Sequence, residues 1–329
     1  MGRQTLWKYC TKEQCREMIL SFHLTGRSDW TEEKQLACLY AVSNHAEQHY
    51  QPVRIPKKDG SMRRLLVPDP LLKTIQRQIL HQILEQLPVS SYASAYHKGA
   101  SIGSNASPHV GKDVILKLDI RDFFGQIRFM DVYRLAFPGI YFPPAAASLL
   151  AHLCCYQEYL PQGAPTSAAV SNLVMKPFDE HIGAWCEERG ICYTRYCDDM
   201  TFSGDFDAGA VKRKVKHFLE TLGYELNDEK TRVMSKHQRQ VVTGIVVNRK
   251  PQVTREYRHN LRKELYYCRK YGAEEHLTRI RDQRFLPFGE AGLARYRMSL
   301  RGRIQFVLQI NPEDPFFLEQ KRWIMSEWK

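Results

Sequence analysis

The sequence lacks several features that mark membrane and secreted proteins. It contains no run of about 18 apolar residues, the length that a membrane-spanning helix needs. Residues 1–16 mix charged and polar side chains, so we expect no signal peptide there. The nine cysteines never form a C-x-x-C pair, which argues against the common zinc sites. We therefore expect no membrane partner, and cysteines that serve as small core residues in a reducing cytoplasm.

Internal repeats and low-complexity tracts are also absent. The 329 residues are 43% apolar, enough for one large domain or two to three smaller lobes. The net charge of +12 indicates a polyanionic partner, either nucleic acid or an anionic membrane. After residue 245 there are 18 Lys and Arg against 10 Asp and Glu, so most of the surplus lies in the last quarter of the chain.

Aromatic residues are interleaved with these basic residues. Basic groups neutralise phosphates and aromatic faces stack on bases, so the segment is suited to nucleic acid. The alternative, packing inside helices, would account for at least half of the aromatics. They are Tyr257, Tyr266, Tyr267, Tyr271, Phe285, Tyr296, Phe306 and Trp323.

The apolar pattern predicts helices mixed with strands. Helices are expected over 6–24, over 32–50 after an N-cap at Thr31, from Pro70 onward after a cap at Asp69, and over 208–222. Asp59-Gly60 predicts the turn of a basic hairpin over 53–67. Strands are expected over 114–120 and 241–247, with two short strands over 193–203. Because helices and strands do not alternate strictly, the pattern predicts an α+β fold.

Three aspartates are candidate metal ligands. Asp119 is expected near the end of a strand, on the face opposite its apolar anchor, and Asp198-Asp199 near the turn between two short strands. Adjacent carboxylates repel each other, and a cation is the usual reason to tolerate that, although exposed Asp-Asp turns are common. Two Mg²⁺ ions held by such aspartates catalyse phosphoryl and nucleotidyl transfer.

The order of the aspartates along the chain and the residues that flank them resemble the motifs of the reverse transcriptases. Leu118 to Phe124 is similar to the first catalytic motif of that family, Leu160 to Ser167 to the next, and Tyr196-Cys197-Asp198-Asp199 to its Y-x-D-D signature. The segment from Gly223 to Thr231 resembles the motif that follows the Y-x-D-D signature in that family. Asp122 matches no ligand position and is expected to be a surface residue. RNA-dependent RNA polymerases share this layout but usually carry Gly before the aspartate pair.

The resemblance implies a role for each matching residue. Asp119, Asp198, Asp199 and the backbone carbonyl of Ile120 would hold two Mg²⁺ ions, with Mn²⁺ as a possible substitute. A second set of residues would contact the incoming deoxynucleoside triphosphate. In this set Phe124 would reject a nucleotide that carries a 2′-hydroxyl, and Arg64 is an alternative to Arg63. That set comprises Lys57, Arg63, Phe124, Gln162, Gly163 and Lys230.

Two shorter elements are similar to those of retron reverse transcriptases. Asn105 to His109 resembles their N-A-x-x-H element, and Val242-Thr243-Gly244 resembles their V-T-G element. The resemblance implies that Asn105, His109 and the Val242 to Gly244 segment contribute to RNA binding. The chain also leaves little room for an RNase H domain or a maturase region.

Membership of the retron group would imply both a fold and an activity. The fold would be an α+β right hand, with fingers and palm over 1–245 (catalytic palm mainly 112–136 and 160–245) and a helical basic thumb over 246–329. The palm would be an antiparallel sheet plus helices. The enzyme would bind its own structured noncoding RNA, prime from a guanosine 2′-hydroxyl and copy part of that RNA into single-stranded DNA. A bacterial cytoplasmic location, an effector protein and antiphage defence are further implications.

Two alternatives remain open at this stage. One is another bacterial reverse transcriptase, of the diversity-generating or abortive-infection type. The other is a nonenzymatic RNA-binding scaffold that has kept the polymerase shape, against which the intact aspartates argue.

Overall fold

The computed structural model describes residues 7, 10–56 and 60–328. The chain forms two compact units. The first unit comprises Met1–Ala100, Leu116–Phe202 and Phe206–Val233, and the second comprises Ser101–Ile115, Ser203–Asp205 and Met234–Lys329. Each unit has a hydrophobic core of its own. Helices and strands are mixed without strict alternation, so the prediction of an α+β fold is confirmed.

The elements are numbered here in chain order. The α-helices are α1 (Lys12–Ser21), α2 (Glu32–Asn44), α3 (Pro70–Gln82), α4 (Ile102–Ala106), α5 (Phe123–Gln126), α6 (Phe129–Asp131), α7 (Pro144–Cys154), α8 (Ser167–Glu187), α9 (Ala208–Thr221), α10 (Arg255–Tyr271), α11 (Ala273–Ile280), α12 (Gly289–Ile310) and α13 (Pro315–Glu327). The strands are β1 (Tyr50–Pro56), β2 (Met62–Pro68), β3 (Val114–Asp119), β4 (Cys192–Tyr196), β5 (Asp199–Gly204), β6 (Arg232–Ser235), β7 (Val241–Val242), β8 (Ile245–Val246) and β9 (Gln252–Val253).

The N-terminal helices are shorter than the sequence predicts. α1 begins at Lys12, after the N-cap Thr11, whose hydroxyl accepts from the Gln14 backbone N–H at 3.2 Å in a capping box. Residues 6, 8 and 9 lie outside the described residues. Thr31 caps α2 as predicted, but α2 ends at Asn44 and Tyr50 already belongs to β1. Pairing of β1 with β2 overrides the helical pattern there, because each strand needs the other's hydrogen bonds.

The predicted basic hairpin is present. β1 and β2 pair antiparallel with Arg54 opposite Arg64, while residues 57–59, including Lys57, lie outside the described residues. α3 follows at once, because the Asp69 carboxylate accepts from the Leu72 backbone N–H at 2.8 Å and Pro70 occupies the first turn. Both predictions for the start of this helix are confirmed.

A four-stranded sheet carries the aspartates. Its strand order is β4-β5-β3-β6, so β5 and β3 are neighbours. β3 ends at Asp119, and Leu116 and Leu118 are completely buried in the core of the first unit. A two-residue turn, Cys197-Asp198, joins β4 to β5, with Cys197 in the left-handed region at φ 61°. The chain therefore presents Asp119 and the aspartate pair on adjacent strands.

The second unit contains a small sheet and four helices of eight residues or more. The single strand predicted over 241–247 is wrong, since β7 and β8 form a tight hairpin instead. Thr243 and Gly244 make its turn with φ of 45° and 83°, and two positive φ angles are what a two-residue hairpin turn of this hand requires. β9 adds to β8, and α10 to α13 follow. No helix in the described part of the chain is long and apolar enough to cross a bilayer.

Candidate active site

Asp119, Asp198 and Asp199 converge at the ends of β3 and β5. The backbone N–H of Ile120 donates to the carbonyl of Asp198 at 3.1 Å, which ties the two segments directly. On the other side, the Asn227 N–H donates to the Asp119 carbonyl at 2.8 Å. These bonds fix the backbone on both sides of Asp119. The three carboxylates are therefore placed by rigid strands, as a site that must align reacting groups requires.

Two lysines bind the carboxylates. The Lys230 ammonium donates to both oxygens of Asp119 at 2.9 and 3.0 Å, and the Lys117 ammonium lies 2.8 Å from Oδ2 of Asp199. Lys117 stands two residues before Asp119 on the same face of β3, and its side chain is 23% exposed. The sequence reasoning missed Lys117, although a lysine within an otherwise apolar strand was the available signal.

The electrostatics of the cluster favour a bound cation. Burial raises the pKa of all three carboxyl groups above the usual range of an aspartate. The charge of Asp198 further raises the pKa of Asp119, and the charge of Asp119 raises that of Asp199, while the two lysines oppose these effects. The carboxylates still repel one another although two lysine ammonium groups lie beside them. The cluster can therefore accommodate further positive charge, such as a metal ion.

The donor set fits divalent metal ions by its chemistry. Carboxylate oxygens are the ligands that Mg²⁺ prefers, and one or two of them plus substrate phosphates commonly suffice. With Lys117 and Lys230 on the carboxylates, the described residues contain no group of three acidic, histidine or cysteine side chains gathered closely enough to hold an ion by themselves. Metal ions here would need phosphate oxygens and movement of the lysines.

A buried ion pair supports the turn that carries the aspartates. Arg195 on β4 is completely buried and forms two hydrogen bonds to Asp179 of α8, at 2.8 and 2.6 Å. The third guanidinium nitrogen of Arg195, Nη1, donates to the Cys197 carbonyl at 2.9 Å, within the turn itself. The Tyr193 hydroxyl completes the network by donating to Asp179 at 2.8 Å. The sequence reasoning missed this network too, although an arginine inside a short buried strand signals a specific partner.

Phe124 and Gln162 lie together on a cavity of about 260 Å³ in the first unit. Arg64 lines this cavity, which favours it as the alternative to Arg63. Gly163 is exposed and has φ of 124°, and a Cβ there would come within 2.8 Å of the Leu66 carbonyl oxygen. The close approach that Gly163 permits in this structure is thus to β2, where the Leu66 backbone N–H donates to the Gln162 carbonyl at 2.8 Å.

Two further residues of the predicted nucleotide set, Arg63 and Lys230, are absent from the lining of this cavity. Arg63 is exposed on β2, and its charge acts to lower the pKa of Lys230. Burial acts on Lys230 in the same direction, but contact with Asp119 outweighs both, so the pKa of Lys230 is raised. Lys57 lies outside the described residues. Asp122 is exposed at the start of α5, as expected for a surface residue, and its side of α5 also lines the cavity beside Phe124 and Gln162.

The two elements predicted to bind RNA meet within the second unit. The Asn105 side-chain amide donates to the Thr243 hydroxyl at 3.3 Å, and Thr243 donates to the Ile102 carbonyl at 3.3 Å. His109 is completely buried with Nδ1 2.7 Å from the Ser203 hydroxyl, and Val242 is also completely buried. Of the predicted set, Gly244 is exposed and Thr243 is partly exposed.

Comparison with known proteins gives concordant matches. The family model for reverse transcriptase (RNA-dependent DNA polymerase) matches residues 55–254, more than half of the chain. The retron Mx65 reverse transcriptase of Myxococcus xanthus is 34% identical over 90% of this chain and 72% of its own length. The retron Ec86 reverse transcriptase of Escherichia coli is 32% identical over 70% of this chain and 74% of its own length.

Among solved structures, a telomerase from Candida albicans, in complex with a fragment of telomeric RNA, matches with a TM-score of 0.47 and 11% identity. The match covers 84% of this chain and 63% of that one. From the family match, the retron relatives and the motif order, the chain belongs to the retron reverse transcriptases, which are RNA-directed DNA polymerases with a right-hand fold.

Proposed function

We propose that this enzyme copies part of its own structured noncoding RNA into single-stranded DNA. The primer would be the 2′-hydroxyl of a guanosine in the same RNA, so the product would be a branched RNA–DNA molecule. No protein nucleophile is then needed, because the attacking hydroxyl belongs to the RNA. The retron relatives support this assignment, and the basic surplus of the last quarter of the chain suits the RNA partner.

The observation that carries the proposal is the placement of Asp119 beside Asp198-Asp199 on neighbouring strands. These carboxylates, with the Ile120 carbonyl, would hold two Mg²⁺ ions, or Mn²⁺ in their place. The ions would lower the pKa of the attacking hydroxyl and neutralise charge on the α-phosphate in the transition state.

The protein's own groups would position the deoxynucleoside triphosphate. Lys230, which now binds Asp119, is 59% exposed and can turn toward the triphosphate, where an ammonium group would protonate the leaving pyrophosphate. Phe124 would pack under the sugar and reject a 2′-hydroxyl, with Gln162 beside it on the same cavity. Lys57 and either Arg63 or Arg64 would bind the phosphates from the basic hairpin.

The wider role belongs to the same proposal. We infer that the protein acts in the bacterial cytoplasm, in antiphage defence, together with an effector protein. This inference rests on the resemblance to retron enzymes. Deleting the gene for this protein while keeping the neighbouring noncoding RNA, and then challenging the cells with phage, tests the defence role separately from the DNA synthesis reaction.

Analysis of the nucleic acid that copurifies with the protein tests the reaction. Protein purified from its host is treated with RNase, DNase or debranching enzyme, beside an Asp198→Ala/Asp199→Ala variant and a control, Asp29→Asn, at an exposed aspartate between α1 and α2. A short DNA joined to RNA, sensitive to debranching, present in the control and missing from the double variant, is the expected result. RNA without attached DNA in every sample would contradict self-primed synthesis.

A further inference from the structure

The second unit contains a cavity of about 840 Å³ between α10, α11 and α12. Six residues of α10 line it, and four of them recur at helical spacing, Tyr257, Glu264, Tyr267 and Tyr271. A volume of this size is in the range of small-ligand sites and holds a nucleotide, but it is far too small for a duplex. Neither the catalytic motifs nor the retron-type elements contribute to this cavity.

The wall of the cavity is aromatic. The Tyr267 ring lies nearly parallel to the Tyr271 ring, with centroids 6.1 Å apart and 14° between planes, and nearly parallel to the His276 ring at 5.5 Å and 19°. His276 and Tyr296 are buried, 6% and 1% exposed. These stacked rings form an aromatic wall, which a planar base can contact through offset or edge-to-face geometry.

The charges around the cavity favour an anion. Lys263, Arg279, Arg284 and Arg303 line it, against the two acids Glu264 and Asp282. Arg303 binds Glu264 at 2.6 Å and Arg284 binds Asp282 at 2.9 Å, so both acids are already neutralised. Lys263 is exposed and has no ion-pair partner among the residues that the structure describes. Arg279 in turn binds Glu275 at 2.7 Å, so the surplus positive charge at the rim is that of Lys263.

Arg279 adds a second stacking element. Its guanidinium lies 4.4 Å from the centroid of the Tyr271 ring, while its Nη2 binds Glu275 at 2.7 Å. Unpaired RNA bases are commonly held against aromatic rings and arginine planes. An aromatic wall with a cationic rim matches a nucleotide, which has a flat base at one end and phosphate at the other.

We propose that this cavity binds one unpaired nucleotide, with the base against Tyr267 and Tyr271 and the phosphate near Lys263 and Arg279. This inference rests on the proposed function, since it supplies a specific contact for an RNA-bound enzyme. The nucleotide belongs either to the structured RNA or to the free nucleotide pool, and both present the same chemistry to the cavity.

Fluorescence titration with a defined RNA tests the proposal. The probe is an RNA hairpin with a single bulged 2-aminopurine nucleotide, compared with the same hairpin without the bulge. We expect the protein to bind the bulged hairpin about tenfold more tightly and to quench its fluorescence, since one stacked base contributes roughly that factor. Tyr271→Ala removes most of this preference, whereas Tyr271→Phe retains it.

Matched variants separate the cavity from general effects. Tyr266 lies on the same helix but is 57% exposed and does not line the cavity, so Tyr266→Ala retains the preference. Lys263→Gln weakens binding of the bulged hairpin more than Lys321→Gln, an exposed lysine on α13 that is absent from the cavity lining. Thermal melting confirms that each variant is folded.

Competition with adenosine and guanosine monophosphate distinguishes the two sources. Bulge-dependent quenching that Tyr271→Ala abolishes identifies RNA as the source. A rise in the melting temperature of the protein with free monophosphate identifies free nucleotide as the source, if Tyr271→Ala abolishes the rise and the protein shows no preference for the bulged hairpin. Equal binding of both hairpins without any effect of free nucleotide overturns the proposal. Extension of a supplied primer by the wild-type protein is measured in parallel, so failure of polymerase activity is recognised separately.

Discussion

Two sets of motif residues have opposite environments in this protein. In the first unit, Asp119 and Asp199 are partly exposed, charged and bound to lysines at a strand edge. In the second unit, Asn105 and His109 are 1% and 0% exposed and contact other protein groups. The aspartates were recognised from several motifs in a fixed order, whereas the second set rests on two elements that are each short and weak alone. The first set is accessible to a ligand, whereas Asn105 and His109 contribute to packing within their own unit.

The largest effect is expected from the aspartates. Asp198→Asn should lower DNA synthesis by about 1,000-fold, because it removes charge that metal ions need, an interaction of several kcal/mol. Stability should be unchanged or slightly raised, since a carboxylate whose pKa is raised by burial is removed. Primer extension and thermal melting measure the two effects. Asp29→Asn is the control, and an equal loss in that variant would contradict the assignment.

The buried ion pair should combine a structural and a positioning role. Arg195→Met leaves the buried Asp179 without its cationic partner, although the Tyr193 hydroxyl still donates to it, and this costs about 3–5 kcal/mol of unfolding free energy. The double variant Arg195→Met/Asp179→Leu should recover most of this stability in urea denaturation. Its DNA synthesis should stay about tenfold low, because the Cys197 carbonyl has lost its charged donor. Full recovery of both properties would limit the pair to a structural role.

Lys230 should affect chemistry more than stability. Lys230→Gln is expected to lower the rate of nucleotide addition by about 100-fold, within the range of general acid catalysis. Its ion pair with Asp119 is largely solvent-exposed on the lysine side, so the unfolding free energy should change by less than about 1 kcal/mol. Single-turnover kinetics measure the rate. Lys212→Gln, which breaks the Lys212–Asp228 pair, serves as the control.

His109 should make the second unit sensitive to acid. Burial lowers the pKa of His109 to about 4, whereas in the unfolded chain it is near 6.5. The unfolded state therefore takes up the proton first, and stability falls as the pH drops from 6.5 toward 4. Between pH 7.5 and pH 5 the loss should be about 2 kcal/mol. Urea denaturation at both pH values measures it, and His109→Gln should remove that part of the difference.

The smallest effect is expected at the contact between the two retron-type elements. Thr243→Val removes the acceptor of the Asn105 amide and should cost about 1–2 kcal/mol of unfolding free energy. If the elements act mainly in packing, RNA affinity at temperatures where the variant is folded should change little. A large loss of RNA affinity without loss of stability would show that the turn contacts RNA directly, and that both sets of motif residues serve the reaction.

Part of the site follows from the sequence because local rules decide it. The alternation of β3 predicts on which face Asp119 emerges, and Asp69 with Pro70 predicts where α3 begins. The helix predicted to reach residue 50 failed because strand pairing at Tyr50 is not a local property. The strand predicted over 241–247 failed because a turn at Thr243-Gly244 places a β-branched residue at positive φ, against its own preference.

By itself the sequence determined the family, the α+β class and the three aspartates, since motif order, apolar periodicity and residue type are all encoded along the chain. Only the tertiary structure decided which groups neutralise those aspartates, because Lys230 and Asp119 are 111 residues apart. The same holds for Arg195 with Asp179, and for Asn105 with Thr243. Partners brought together by folding leave no local pattern, and burial, which sets their energy, exists only once the chain has packed.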